Sequence, residues 1–237
     1  MAVRDLQGRV THQSMTNVVM LVRDRPRLTE QCLRTLYETT PEDQFNLVIV
    51  NDGSGEDTYR LVLNYTARKD NCRVVSLFDS IGIVGWLRNT GIQASERYFG
   101  RGSRLYLSDN DVAFTPHWLR EIENCWCRSD AKVLGGYRHP FHQPNLTRFG
   151  VDYTDAVAGY SMLIAWGTWD RYGPFDSHAK GVCQSEDFAF CQKIIKDGGK
   201  VGYMREPVIA MCGITNSEGK SAIGSEHFPR IPGLIYE

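Results

Sequence analysis

The first half of the chain alternates short apolar runs with amphipathic stretches. Residues 17–22 are apolar over the length of a buried strand and end in Arg23-Asp24-Arg25, with Pro26 next. Residues 27–39 then carry Leu28, Cys32, Leu33, Leu36 and Tyr37 at helical spacing, and Pro41 stops them. A second buried strand is predicted over 45–50, ending in Asn51-Asp52-Gly53-Ser54-Gly55. A helix over 56–69 follows, with Tyr59, Leu61, Val62 and Tyr65 in register. A strand over 72–77, a helix over 85–99 and a strand over 103–108 complete the run, which enters Asp109-Asn110-Asp111. Strands that alternate with helices predict an α/β fold with a parallel sheet and right-handed crossovers. Such sheets bind ligands beyond the carboxyl ends of their strands. Three of these ends are polar here: Arg23-Asp24, Asn51-Asp52 and Asp109-Asn110-Asp111.

The second half is less regular. The pattern predicts a helix over 116–125, a strand over 132–137, a loop over 138–150, a strand over 160–166 and a short helix over 167–172. Residues 176–184 read as a mobile connection. A helix over 185–197 opens with Ser185 as N-cap and Glu186-Asp187 in its first turn, and Gly198-Gly199 closes it. Two more strands are expected over 200–204 and 207–211. There is no repeat or low-complexity stretch.

Composition narrows the function classes. The 237 residues carry 27 Lys+Arg against 28 Asp+Glu, a formal charge of −1. A chain of this size buries roughly 70% of its unfolded surface, so it needs no disulfide or metal staple. No apolar run reaches the ~18 residues of a membrane span, and near-neutrality argues against unspecific nucleic-acid binding. The seven cysteines are at 32, 72, 125, 127, 183, 191 and 212 and form no Cys-x-x-Cys pair, so reduced thiols in a cytoplasmic protein are expected. Residues 1–14 lack the apolar core of a signal peptide.

Three acidic groups carry the candidate chemistry. Asp109 and Asp111, one residue apart after a buried strand, suit a hard divalent cation, Mn²⁺ or Mg²⁺, although an isolated Asp-x-Asp also forms solvated acidic turns. Asp52 at a strand tip suits a base N–H or a ribose hydroxyl, and equally an Asx-turn before Gly53. Glu186-Asp187 suits a general base, and equally compensation of the helix dipole. His139 and His142 in a proline loop, the aromatics Trp166, Trp169 and Tyr172, and the segment 217–221 are weaker candidates for metal, sugar and diphosphate contacts respectively. The glycine-rich loop of nucleotidyltransferases and the GxGxxG of dehydrogenases are missing after the first strand.

Six motifs in order resemble the family 2 glycosyltransferases. They are Val-Val-Met-Leu-Val-Arg-Asp-Arg-Pro (18–26), Leu-Val-Ile-Val-Asn-Asp-Gly-Ser (47–54), Leu-Arg-Asn-Thr-Gly-Ile (87–92), Tyr-Leu-Ser-Asp-Asn-Asp (106–111), Gly-Pro-Phe-Asp (173–176) and Ser-Glu-Asp-Phe-Ala-Phe (185–190). The resemblance spans about residues 15–215. It implies a GT-A fold, with a Rossmann-like, mostly parallel central sheet flanked by helices and a smaller acceptor-side mixed sheet. The expected organisation is one GT-A domain: a nucleotide-sugar half over 15–112, an acceptor half over 113–215 and a tail over 216–237. By resemblance, Val22, Arg23 and Asp24 border the nucleotide and Asp52 reads the base. Arg88 and Asn89 lie near the diphosphate, and Asp109, Asn110 and Asp111 form the DxD segment that contacts ribose and metal. Asp187, with Glu186 beside it, is the implied base of an inverting transfer from a nucleoside diphosphate sugar, a UDP-sugar for preference. The implied acceptor is a saccharide, protein, small metabolite or modified nucleobase. DNA as acceptor would draw on Arg138, His139, His142 and Arg148, and a degenerate, non-catalytic binding module is the other alternative. The chain departs from the family pattern twice. Leu21-Val-Arg-Asp-Arg25 stands where Pro-x-Tyr-Asn-Arg is usual, which puts Arg23 in the place of a base-stacking aromatic. Met211-Cys212-Gly213 stands where many GT-A enzymes carry a histidine metal ligand, leaving either Cys212 as a substitute or the DxD and diphosphate alone.

Overall fold

The computed structural model describes residues 15–139, 142–178, 186–213 and 230–237. Strands β1 (Thr16–Val22), β2 (Phe45–Asp52), β3 (Cys72–Leu77) and β4 (Arg104–Asp109) pair in parallel in the order β3-β2-β1-β4. Between them run helices α1 (Pro26–Thr39), α2 (Glu56–Thr66) and α3 (Val84–Phe99). Every residue of β2 is buried, because helices cover both sides of the sheet. Alternation decides which residue meets which helix. Val18, Met20, Leu47 and Ile49 face Cys32, Leu33 and Leu36 of α1 and Val62 of α2. Val19, Val48 and Val50 face Leu87 and Ile92 of α3.

The chain continues through β5 (Val112–Phe114), α4 (Trp118–Arg128), β6 (Ala131–Gly135), β7 (Leu146–Arg148), β8 (Val151–Thr154), β9 (Ser161–Ile164), α5 (Trp166–Tyr172), α6 (Glu186–Lys196), β10 (Lys200–Met204) and β11 (Ile209–Met211). β9 lies antiparallel between β4 and β6 and so joins the later strands to the first four. The result is a nine-stranded sheet, β3-β2-β1-β4-β9-β6-β10-β8-β7, in which all but β8 and β9 run one way. β5 and β11 form a separate antiparallel pair. The α/β architecture expected from the sequence is present, with the small second sheet made by this pair.

Three strands escape the apolar pattern. β5 has three residues, β8 has four, and β7 is exposed at every position. β7 lies inside the stretch read as a loop, and only pairing with β8 across the Phe149-Gly150 turn makes it a strand. Boundaries also move: α2 ends at Thr66, α4 covers Trp118–Arg128, and β6 stops at Gly135. The glycine stop of α6 is as expected, with Gly198 at φ +80° and Gly199 N–H donating to Ile194 O. Ser185, Cys183 and residues 217–221 lie outside the described residues. Trp166 and Trp169 pack into the core beside Phe175 and Phe190, so they are not a free sugar platform. Of the described cysteines only Cys127 is exposed, and none is in a disulfide. Among the described residues no helix is long and apolar enough to cross a membrane.

Gly91 sets the distance between α3 and the sheet. A Cβ there would lie 2.3 Å from Val19 Cγ1 and 2.8 Å from Val50 Cγ2. Overpacking of this kind costs typically 1–3 kcal/mol. Gly91→Val should therefore lower the urea unfolding free energy by about 2 kcal/mol. An unchanged midpoint would show that α3 does not sit this close.

Candidate active site

The side chains proposed from the sequence gather around the ends of β1, β2 and β4. Asp52, at the tip of β2, is buried. It accepts hydrogen bonds from Ser80 Oγ at 2.7 Å, Ile81 N at 2.8 Å and Gly82 N at 3.2 Å. Gly53 has φ +59° and is covered by the Asp79–Ser80 backbone, so no side chain fits there. Asp52 thus straps the segment that follows β3, and Arg23 Nη1 reaches over it to within 3.7 Å of an ideal Cβ on Gly82.

The turn after β1 is strained. Asp24 and Arg25 both take left-handed backbone conformations, φ 52° and 56°, which typically cost 1–2 kcal/mol each in an L-residue. Four contacts hold the turn. Asp24 N donates to Ser54 Oγ at 2.9 Å, Asp24 Oδ1 accepts from Gly55 N at 2.8 Å, and Asp24 O accepts from Asn110 Nδ2 at 3.0 Å and Thr29 Oγ1 at 3.1 Å. Asn110 Nδ2 also reaches Thr29 Oγ1 at 2.7 Å, so the middle residue of Asp-Asn-Asp is a clasp between β4 and the turn. Val22 is buried at the end of β1.

Arg88 of α3 is 3% exposed and binds three acceptors at once. Nη2 donates to Asp109 Oδ1 at 3.3 Å, Nε to Glu186 Oε1 at 3.3 Å, and Nη1 to Gly159 O at 2.7 Å. Burial alone would lower its pKa. Asp109, Glu186 and Asp187 more than offset that and hold it above the ordinary arginine value. Gly159 leaves room for it: a Cβ there would lie 2.5 Å from the guanidinium carbon. Asn89 faces another way and clasps the Phe175 backbone. Its Oδ1 accepts from Phe175 N at 3.0 Å and its Nδ2 donates to Phe175 O at 2.9 Å. That anchors the Gly-Pro-Phe-Asp segment to α3.

Asp187 Oδ2 accepts from Gly159 N at 2.9 Å, and Oδ1 from Phe188 N at 2.7 Å. Its carboxylate is oriented by backbone and is partly open to solvent. Glu186 beside it is 4% exposed, and burial pushes its carboxyl up to about 7 against the pull of Arg88, with Asp187 adding to the rise. The two neighbours therefore differ: Asp187 is held from the backbone, whereas Glu186 is buried against Arg88.

Asp109 and Asp111 fit a divalent cation. Asp111 Oδ1 is buried with no hydrogen-bond partner, while Oδ2 pairs with Arg25 Nη1 at 2.8 Å. Burial, and then Asp109, push the Asp111 carboxyl up to about 6. The Asp109 side chain is 34% exposed. The Cys212 thiol is buried, donates to Ala210 O at 3.8 Å, and is pushed up to about 12 by burial. Among the described residues no three His, Cys, Asp or Glu side chains gather as a metal site. Two carboxylates completed by phosphate and water oxygens suit Mg²⁺ or Mn²⁺. His142 pairs with Asp155 at 3.0 Å and stacks on Tyr203.

Sequence reasoning missed Arg25 and Gly159. Pro26 is the one signal for the first, since a residue before proline is pushed out of the right-handed helical region. Gly159 works through its backbone, and nothing in a single sequence marks it.

The family model described as Glycosyl transferase family 2 matches residues 17–176. No curated protein matches the chain. Among the solved structures that superpose on it are the following three. S. aureus TarS 1–349 in complex with UDP-GlcNAc gives a TM-score of 0.64 at 16% identity, over 82% of this chain and 57% of that one. The mannosyltransferase PcManGT from Pyrobaculum calidifontis, in complex with GDP-Man and Mn²⁺, gives 0.60 at 15% identity, over 83% and 56%. GalNAc-T7 with UDP, GalNAc and Mn²⁺ gives 0.65 at 15% identity, over 81% and 43%. The chain thus spans little more than half of these proteins at most, and the likeness establishes a shared fold.

The position of Glu186 has a consequence for stability. Its native carboxyl holds a proton up to about pH 7, whereas an unfolded one releases it near 4.5. The contribution is therefore full below pH 4.5 and is lost as pH rises through 7. Between those limits the protein should lose on the order of 1–3 kcal/mol relative to Glu186→Gln. Melting curves of both proteins from pH 4.5 to 8 check this, and parallel curves would contradict it.

Proposed function

The chain belongs to glycosyl transferase family 2, and on that premise we propose that it moves a sugar from a nucleoside diphosphate sugar, a UDP-sugar, to an acceptor hydroxyl with inversion. One observation carries this reading. A single buried guanidinium, Arg88, bonds both to Asp109 at the end of β4 and to Glu186 at the start of α6. A donor station and a base station are thereby held against one another.

In this reading residues 15–112 bind the donor and residues 113–215 serve the acceptor. Val22, Arg23 and Asp24 border the nucleotide. Asp52 keeps the 80–82 segment folded beside the base, so its effect on base recognition runs partly through that segment. Asp109 and Asp111 would hold Mn²⁺ or Mg²⁺. The cation, when bound, offsets the charge that builds on the departing diphosphate. Asp187 removes the proton from the acceptor hydroxyl while its oxygen attacks the anomeric carbon. The carbon–oxygen bond to the diphosphate breaks in the same displacement, so configuration inverts. The Gly159 and Phe188 N–H groups fix the Asp187 carboxylate for this task. The ligands of the three similar structures, UDP-GlcNAc, GDP-Man and UDP, support a nucleotide-sugar donor.

The test begins with a screen of nucleotide sugars for Mn²⁺-dependent hydrolysis without acceptor, followed by transfer assays with the active donor. Asp187→Asn should cut transfer by roughly 10²–10⁴-fold, the usual worth of a general base, and leave UDP binding intact by calorimetry. Asp109→Ala should remove both turnover and the Mn²⁺ dependence of UDP binding. Full activity in Asp187→Asn would remove the base assignment.

A further inference from the structure

Asp111 already has a cation. Arg25 Nη1 lies 2.8 Å from Asp111 Oδ2, and both side chains are four-fifths buried. The pairing does not come about by default. It requires two consecutive left-handed residues, Asp24 and Arg25, and the side chain of Asn110 holds that turn from the middle of Asp-Asn-Asp. It also requires Gly213. A Cβ at that position would stand 2.1 Å from Asp111 Oδ2 and 2.8 Å from Arg25 Nη1. Cys212 N and Gly213 N donate to the Asp111 backbone carbonyl at 2.8 and 3.2 Å, which draws the chain in close after β11. The part of the fold where a further metal-binding side chain could stand is thus filled by backbone and by a guanidinium. Asp111 Oδ1, on the other side of the same carboxylate, is buried and has no partner.

We infer that Arg25 is a resident counter-cation of the Asp109/Asp111 site, which weakens divalent binding to the free protein and makes it depend on the anionic donor. This rests on the reading of Asp109 and Asp111 as the metal carboxylates. A guanidinium on Oδ2 repels a dication arriving at Oδ1 and competes for the same negative charge. A nucleoside diphosphate brings the anionic charge that accommodates both cations. Arg25 is therefore a positioning residue, which acts through Asp111 on the order of assembly.

Mn²⁺ alone is the probe, followed by electron paramagnetic resonance on the full chain without nucleotide. Arg25→Met and Arg25→Gln should bind Mn²⁺ ~10-fold more tightly than the wild type, because a like charge has left the site. Arg25→Lys, which keeps the charge, should remain close to the wild type. Adding UDP should narrow the difference between the Met variant and the wild type. A second readout needs no variant. On Mg²⁺ titration of the wild type, the side-chain ¹⁵N resonances of Arg25 should move along the same isotherm as metal binding. Unchanged or weaker Mn²⁺ binding in folded Arg25→Met, or Arg25 resonances that stay fixed while Mg²⁺ saturates, would overturn the inference. Asp111→Asn separates the two levels. Mn²⁺ binding that survives it removes the metal reading and this inference together. Binding that Asp111→Asn abolishes but Arg25 variants leave unaltered removes this inference alone.

Discussion

The charge on Arg88 is the constraint on which the site depends. It is buried in the body of the protein, where an unpaired guanidinium costs several kcal/mol, so its partners are obligatory. Those partners come from three distant stretches of chain: Asp109 at the end of β4, Gly159 before β9, and Glu186 at the start of α6. Removing one partner of such a group costs about 3–5 kcal/mol. The packing of Arg88 therefore holds the Asp109–Asp111 segment and the start of α6 together. Stability and site geometry are the same interaction at this point.

Around that hub the strand ends are fixed by polar side chains whose work is conformational. Asp52 turns its carboxylate to the 80–82 backbone, Asn110 clasps the Asp24–Thr29 turn, and Asn89 clasps Phe175. Each is a residue that the family resemblance associates with the ligand. The structure gives each an internal partner first. A buried carboxylate or amide that already bonds to a loop backbone can still influence a ligand, by deciding where the loop stands.

The parallel half of the fold was legible because β1, β2 and β4 are buried on both faces and read as unbroken apolar runs. Of the later strands, β6, β9, β10 and β11 were legible, whereas β5, β7 and β8 were not. β7 has no buried residue, and β5 and β11 exist through each other. The candidate site was legible as carboxylates at strand ends and at the start of a helix, since polar residues that follow a buried run collect at its end. Its cations were harder to read. Arg88 carries a motif, but its three partners are 21 to 98 residues away in sequence. Arg25 acquires its role from two positive φ angles and from the lack of a side chain at Gly213, neither of which has a periodicity.

Charge balance ties these observations together. The cluster holds four carboxyl groups, Asp109, Asp111, Glu186 and Asp187, and two guanidinium groups, Arg25 and Arg88. Fully ionised, four negative and two positive charges leave an excess of −2. Burial makes that excess costly, and the protein meets part of it by raising Asp111 to about 6 and Glu186 to about 7. On the proposed reading a divalent cation would bring the missing +2. The near-neutral composition of the chain thus conceals a local deficit of positive charge, equal in size to the charge of the divalent cation proposed for the two aspartates.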